Sequence, residues 1–283
     1  MITLSHLLSL FADVKFVIIC ELFYFKNIAY EIFKRLYITG GKLLMQKLLS
    51  KARQAIQDFD MIQENDKIAV GLSGGKDSLT LLHILKNYQR FSPQKFELIA
   101  ITLNPGGVDN SPLYKLCEDL DVPFYEVQTD IKEIVFDIRK EKNPCSLCAN
   151  LRRGALNSNA KKLGCTKVAL GHHKDDAVET FLMSMLYEGR VSCFSPKSHM
   201  DKQDLTIIRP MIYIEEYMTK KAVRDYNYPV IKNPCPADGH TNRQDIKELV
   251  AKLNKDMPGV KKNLFGALNN SENFFIWDKD KIK

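Results

Sequence analysis

From residue 67 onward, short apolar runs alternate with segments of helical spacing. Lys67–Leu72 is a brief apolar run of the kind that suits a strand buried on both faces. Leu79–Tyr88 places Leu79, Leu82, Ile84 and Leu85 at helical intervals, and Phe96–Leu103 is apolar again. The pattern then predicts a helix over Leu113–Leu120, a strand over Phe124–Gln128 and a long helix over Leu151–Leu163. A strand over Lys167–Gly171, a helix over Ala177–Tyr187 and strands over Leu205–Arg209 and Pro229–Ile231 follow. After residue 241 the chain reads as helices ending near Phe274, Phe275, Ile276 and Trp277. Strand and helix in alternation predict an α/β fold with a doubly wound, mainly parallel sheet, with extra helices at both ends. No internal repeat or low-complexity tract interrupts it.

Residues 1–44 differ from this body. They are rich in Phe, Ile, Leu and Tyr, with weak helical periodicity and no turn signal before Gly40-Gly41, and an amphipathic helix over Met45–Phe59 follows. Two readings fit. In one, Met45 is the true start and residues 1–44 are translated leader, because Gly40-Gly41-Lys42 is what a purine-rich ribosome-binding site spells in this frame. In the other, the segment is an additional N-terminal helix. The expected division is therefore an extension at 1–44, the α/β body at 45–240 and a helical C-terminal region at 241–283.

Composition narrows the class. Of 283 residues, 45% are hydrophobic and 27% charged, which excludes a disordered, collagen-like or coiled-coil chain. The formal charge of +7 permits a polyanionic partner such as RNA without requiring one. Seven scattered cysteines, an odd number, fit a reducing cytoplasm better than a disulfide scaffold. The most apolar stretch, Leu7 to Phe25, is broken by Asp13, Lys15 and Glu21, so neither a membrane span nor a signal peptide is expected.

Between the first strand and first helix stands Gly71-Leu72-Ser73-Gly74-Gly75-Lys76-Asp77-Ser78. That is where an open parallel sheet presents its ligand crevice. Gly74 and Gly75 let the backbone turn so that successive N–H groups converge on an anion. Ser73 and Ser78 add hydroxyls, Lys76 a point charge, and the helix start a favourable dipole. The spacing is neither a Walker A loop nor a dinucleotide GxGxxG. A plain Gly-Gly turn with a polar cap is the bland alternative. Ser73–Ser78, SGGKDS, resembles the PP-loop of the N-type ATP pyrophosphatases. The resemblance implies an adenine-nucleotide alpha-hydrolase type of sheet, cleavage of ATP between its α and β phosphates, and adenylation of a substrate oxygen.

Cys145-Ser146-Leu147-Cys148 is a CxxC opening a helix, and Asn143-Pro144-Cys145 is echoed by Asn233-Pro234-Cys235. Thiolates so placed can share one metal centre, and a helix start lowers their pKa. The residues leave four readings open: a zinc site with His240 as fourth ligand, a thioredoxin-like dithiol, buried thiols, or a 4Fe-4S cluster held by three cysteines. Cys145–Leu156, CSLCANLRRGAL, and Leu170–Asp176, LGHHKDD, resemble the tRNA 2-thiocytidine synthetase branch of the same superfamily, over about Met45–Trp277. That likeness implies Cys145, Cys148 and Cys235 as cluster ligands. It departs from the family at Cys235-Pro236-Ala237, where members often carry a second cysteine. Lysidine synthetases share the loop but lack the CxxC pair.

Gly171-His172-His173-Lys174-Asp175-Asp176 ends a strand at the same sheet edge. A carboxylate here can hold Mg2+ on the phosphates, and the family resemblance turns Gly171 and Asp176 toward the nucleotide. The alternative for both aspartates is a helix cap. His172 and His173 read as structural. Arg152, one turn past Cys148, is within reach of a phosphate, with Arg153 facing solvent or RNA. Lys247, Lys252, Lys255, Lys261 and Lys262, with Phe265, Phe274, Phe275 and Trp277, suit an RNA surface as well as a solvated helix face over a core. Cys20, Cys117, Cys165 and Cys193 receive no role.

The resemblance thus implies an ATP-dependent tRNA sulfurtransferase. ATP and Mg2+ would sit at Ser73–Ser78, and the 2-oxygen of a pyrimidine, a cytidine in the anticodon loop, would be adenylated and then replaced by sulfur. Lys76, Asp77, Cys145, Cys148 and Cys235 are the candidate catalytic residues. The expected partners are tRNA and a sulfur donor such as a cysteine desulfurase or free sulfide, with a homodimer as the expected assembly. The rivals are thiolation of another tRNA base and a non-catalytic, cluster-bearing nucleotide or RNA sensor.

Overall fold

The computed structural model describes residues 43–139, 144–231 and 242–270. Contacts divide the chain into two units, Met1–Gln46 and Lys47–Lys283, and the sheet belongs to the second. Cys20, Cys235, His240, Phe274, Phe275 and Trp277 lie outside the described residues, as does the 1–42 part of the N-terminal extension.

Six strands form one sheet: β1 (Asp66–Gly71), β2 (Phe96–Asn104), β3 (Phe124–Gln128), β4 (Lys167–Ala169), β5 (Lys197–Met200) and β6 (Leu205–Ile208), in the order β3-β2-β1-β4-β6-β5. All neighbours pair in parallel except β5 with β6. Around them run α1 (residues 43–58), α2 (Lys76–Gln89), α3 (Ser111–Asp119), α4 (Ile131–Glu133, continuing as a π-helical stretch over Ile134–Arg139), α5 (Pro144–Lys162), α6 (Lys174–Glu188), α7 (Glu216–Tyr226), α8 (Asn242–Asp256) and α9 (Val260–Asn269). The expected doubly wound sheet is present. Chain order reverses on the two sides of β1, so the crevice beyond the carboxyl ends of β1 and β4 is the switch point where such folds take ligands.

One core cluster joins Ala69, Ile99, Ile101, Val168 and Ile207 of the sheet to Leu156 and Ala160 of α5. At the sheet's amino edge, the ion pair of Lys167 Nζ with Asp66 Oδ2 (2.6 Å) is almost wholly buried. The same Asp66 carboxylate accepts from Gln63 N at 2.6 Å and Thr166 Oγ1 at 2.8 Å. This polar knot locks the starts of two adjacent strands at the end opposite the crevice.

Two expectations change. Pro229–Ile231 is not a strand of the sheet. It turns at Pro229, where the Val230 N–H donates to Tyr228 O at 2.9 Å, and meets the loop after β1, with the Ile231 N–H donating to Gly74 O at 3.0 Å. Conversely, β5 and α7 come in addition to the expected elements: KSHM is a polar edge strand, and EYMTKKAVRDY is a polar helix that buries Glu216, Met218, Thr219 and Ala222 on one side.

Candidate active site

The loop leaves β1 at Gly71 and turns at Gly74, whose φ of +77° lies in the left-handed region that glycine tolerates. A Cβ on Gly74 would also stand 3.0 Å from the Ile231 Cβ. Ser78 Oγ accepts from Ser73 N (3.2 Å) and donates to Gly75 O (3.0 Å), with Ser73 Oγ 3.1 Å away. The two serines thus brace the turn from within, and Gly75, as N-cap of α2, has no side chain to cap it. The backbone N–H groups at the α2 start are therefore left for an anion.

Behind the loop lies a charged cluster. Lys76 Nζ sits 2.8 Å from Asp77 Oδ2 and 3.2 Å from Glu216 Oε1. Burial favours the neutral amine, but these two carboxylates outweigh it and raise the Lys76 pKa. Asp77 Oδ1 accepts from the Thr219 hydroxyl at 2.7 Å. Glu216 also takes Lys247 (2.7 Å) and Lys220 (3.1 Å). Burial works against its charge, yet the lysines hold its pKa down to about 2.

The turn after β4 meets this cluster from the other side. His173 and Asp176 form a capping box on α6: Asp176 N donates to His173 Nδ1 and His173 N to Asp176 Oδ2. Because Nδ1 accepts, the ring proton belongs on Nε2, which faces Asp77 Oδ1 at 3.6 Å. Asp175 is buried, accepts the Glu216 N–H at 2.8 Å and is paired with Lys261 of α9. Asp176 Oδ1 pairs with Arg243 of α8 at 3.1 Å. Gly171 is needed for space: a Cβ there would lie 3.0 Å from the Asp77 carbonyl carbon and 3.1 Å from Ser78 N.

α5 precedes β4, a parallel strand, so it returns from the carboxyl to the amino edge of the sheet, and its first turns stand at the crevice edge. Leu156 marks the level, since its Cδ2 lies 2.9 Å from where a Gly71 Cβ would be. Cys148, eight residues earlier, is about 12 Å further along the helix axis, beyond the strand ends. Cys145 is exposed on the first turn. Among the described residues no three His, Cys, Asp or Glu side chains converge as a metal site, and the third candidate thiolate, Cys235, lies outside them.

A PP-loop domain model matches residues 44–253. The tRNA-cytidine(32) 2-sulfurtransferase of Geobacter sulfurreducens is 37% identical, over 82% of this chain and 93% of that protein. The protein of the same name from Syntrophotalea carbinolica is 40% identical, over 80% and 90%. The chain belongs to the PP-loop family of these sulfurtransferases. Among solved structures it resembles the U34-tRNA thiolase NcsA from Methanococcus maripaludis with its [4Fe-4S] cluster, with a TM-score of 0.67 and 26% identity over 83% of this chain and 81% of that one.

Within this PP-loop protein the structure brings together Ser73–Ser78, Gly171 and Asp176 at one crevice. Arg152 is exposed on α5 beyond it. His172 is structural, as expected: its Nδ1 accepts from Arg209 Nε at 3.2 Å, and burial, then Arg209, push its pKa down to about 4. Phe265 is a core ring rather than an RNA platform, packed edge-on against Tyr213 and under the Lys174 ammonium. Of the five C-terminal lysines, Lys247 and Lys261 pair with the Glu216 and Asp175 carboxylates, whereas Lys252, Lys255 and Lys262 are exposed. Burial pushes the Cys117 and Cys165 thiols up to about 12 and about 11, which leaves them inert at neutral pH. Sequence reasoning missed Glu216, Thr219 and Arg243, whose contacts to Lys76, Asp77 and Asp176 span 67 to 142 residues of chain.

Proposed function

We propose that this chain thiolates a cytidine of the tRNA anticodon loop, position 32 as in its relatives' name, in two half-reactions, the first of which consumes ATP. The observation that carries the reading is the occurrence of a PP-loop and a CxxC helix start at the same carboxyl edge of one sheet. In the first half-reaction, the backbone N–H groups of the loop, Ser73 and Lys76 hold the β and γ phosphates of ATP. The cytidine 2-oxygen attacks the α phosphorus, pyrophosphate leaves, and C2 carries an O–AMP leaving group. In the second, a sulfur nucleophile adds at C2 and AMP departs with the former oxygen. Holding both reagents at one edge makes each step effectively intramolecular. An unpaired loop base is the substrate such a crevice admits.

Cys145, Cys148 and Cys235 are the residues that would hold a 4Fe-4S cluster. Thiolates are its ligands, and two of the three begin a helix whose N–H groups favour the anionic form. When bound by three cysteines, such a cluster offers one iron with an open position for sulfide. Asp176 is the candidate for Mg2+, Asp77 orients Lys76, and Gly171 keeps the turn after β4 against the loop. The sulfur comes from free sulfide, or from a cysteine desulfurase persulfide whose S–S bond is cleaved by two electrons from a thiol reductant; both donors suit a reaction in the cytoplasm, and a homodimer is the assembly we expect.

The test is mass spectrometry of nucleosides from total tRNA of a deletion strain complemented with wild type or Cys145→Ala. The reading requires 2-thiocytidine to vanish and only wild type to restore it. The likeness to a U34-tRNA thiolase supplies the second reading, in which a thiouridine is lost instead. An unchanged thionucleoside profile refutes both and leaves the sensor.

A further inference from the structure

We propose that Glu216 is the positioning residue for Lys76, fixing the ammonium that the PP-loop presents to the phosphates of ATP. The inference rests on reading that loop as the ATP site. Glu216 opens α7, yet its side chain is only 11% exposed. Its place is set from two sides. The Glu216 N–H donates to Asp175 of α6, and the Thr219 hydroxyl lies 3.0 Å from Glu216 O while bonding Asp77 at 2.7 Å. One turn of α7 therefore touches both residues that follow the two glycines, Lys76 through Glu216 and Asp77 through Thr219.

Docking a helix does not call for this arrangement. Lys247 alone would fasten α8 to Glu216, but the carboxylate gathers Lys76, Lys220 and Lys247 within 3.2 Å. A lysine stem is flexible, and its ammonium is well placed only if something other than the stem fixes it. Two carboxylates from two different elements, Asp77 and Glu216, hold Lys76 Nζ in one position before a ligand arrives.

Equilibrium binding of a non-hydrolysable ATP analogue to the full chain tests this, using wild type, Lys76→Met, Glu216→Gln and the double variant. Glu216→Gln should weaken binding about tenfold, the scale of one charge-assisted hydrogen bond. Lys76→Met should weaken it at least as much, and the double variant no further than Lys76→Met, because Glu216 acts through Lys76. Wild-type affinity in Glu216→Gln, or losses that multiply in the double variant, overturns the proposal. Glu216→Asp keeps the charge and shortens the reach; it should also weaken binding, and serves if Glu216→Gln does not fold. Lys247→Met keeps the Lys76–Glu216 contact, so a loss equal to that of Glu216→Gln assigns the effect to α8 and overturns the proposal. Should Lys76→Met bind like wild type, the reading of the loop itself falls, and the inference with it.

Discussion

Replacing Gly171 by alanine tests whether the turn after β4 is packed directly on the phosphate loop. The added Cβ would lie 3.0 Å from the Asp77 carbonyl carbon, 3.1 Å from Asp77 O and 3.1 Å from Ser78 N. Carbon atoms in van der Waals contact are about 3.5–4.0 Å apart, so the gap must open by about 0.5 Å. The obstructing atoms are backbone of the first turn of α2, which no rotamer change can relieve. Relief therefore shifts the helix start, and the loop with it. Overpacking of this kind costs about 1–3 kcal/mol. Gly154→Ala is the matched control, because nothing lies within 4 Å of its Cβ in mid-α5. There the exchange of glycine for alanine in a helix contributes about 0.5–1 kcal/mol in favour of the fold. Urea unfolding followed by circular dichroism should thus place the two variants on opposite sides of wild type. Binding of an ATP analogue should weaken in Gly171→Ala alone. A Gly171→Ala protein with the wild-type midpoint and wild-type affinity would refute the packing argument.

Three further outcomes are expected from the same contacts. Burial, then Asp176, push Glu179 from 4.5 up to about 7, so the folded state keeps a proton that the unfolded chain gives up. Its contribution is most favourable below the unfolded value and is lost as pH rises toward 7, by up to about 3 kcal/mol. Glu179→Gln should therefore gain stability over wild type between pH 5 and pH 8 in urea melts, and a pH-independent difference would contradict this. Lys167→Met leaves Asp66 buried without its cation and should cost about 3–5 kcal/mol, whereas a loss under about 1 kcal/mol would show that Gln63 N and Thr166 suffice. After anaerobic reconstitution, Cys145→Ser should lose iron and acid-labile sulfide while binding the ATP analogue like wild type. Zinc in place of iron in the wild-type protein would count against the cluster.

What the chain discloses in advance depends on how local the physics is. The apolar runs of β1 and β2 and the helices after them are set by neighbours in sequence, and Phe124–Gln128 stands where its pattern puts it, whereas the short helix and π-helical stretch after it carry no such signal. Gly74 is equally local, since a tight turn of positive φ between strand and helix needs glycine whatever lies elsewhere. Lys197–Met200 could not be read this way, because an edge strand with one partner needs no apolar alternation. Ile231 misleads for the reverse reason: Pro229, Val230 and Ile231 have strand character, but they are used to cover Gly74.

The site divides along the same line. Ser73–Ser78 and Cys145–Cys148 are contiguous, so spacing alone exposes them, whereas the groups that set their electrostatics are distant. Asp77 is bonded to Thr219 across 142 residues, and Asp176 to Arg243 across 67. Within EYMTKKAVRDY nothing separates Glu216 from an ordinary solvated glutamate at a helix start, a position where acidic residues are common for dipole reasons. Its burial comes from α6 and α8, not from its own sequence. The C-terminal lysines show the same ambiguity from the other sign. A row of lysines beside Phe265 is compatible with RNA until Tyr213 is seen to cover the ring and Glu216 and Asp175 to take Lys247 and Lys261. Charge is then used inside the protein, neutralising the carboxylates around the PP-loop. Lys252, Lys255 and Lys262 of the same row stay exposed, as does the start of α5 with Cys145 and Arg152.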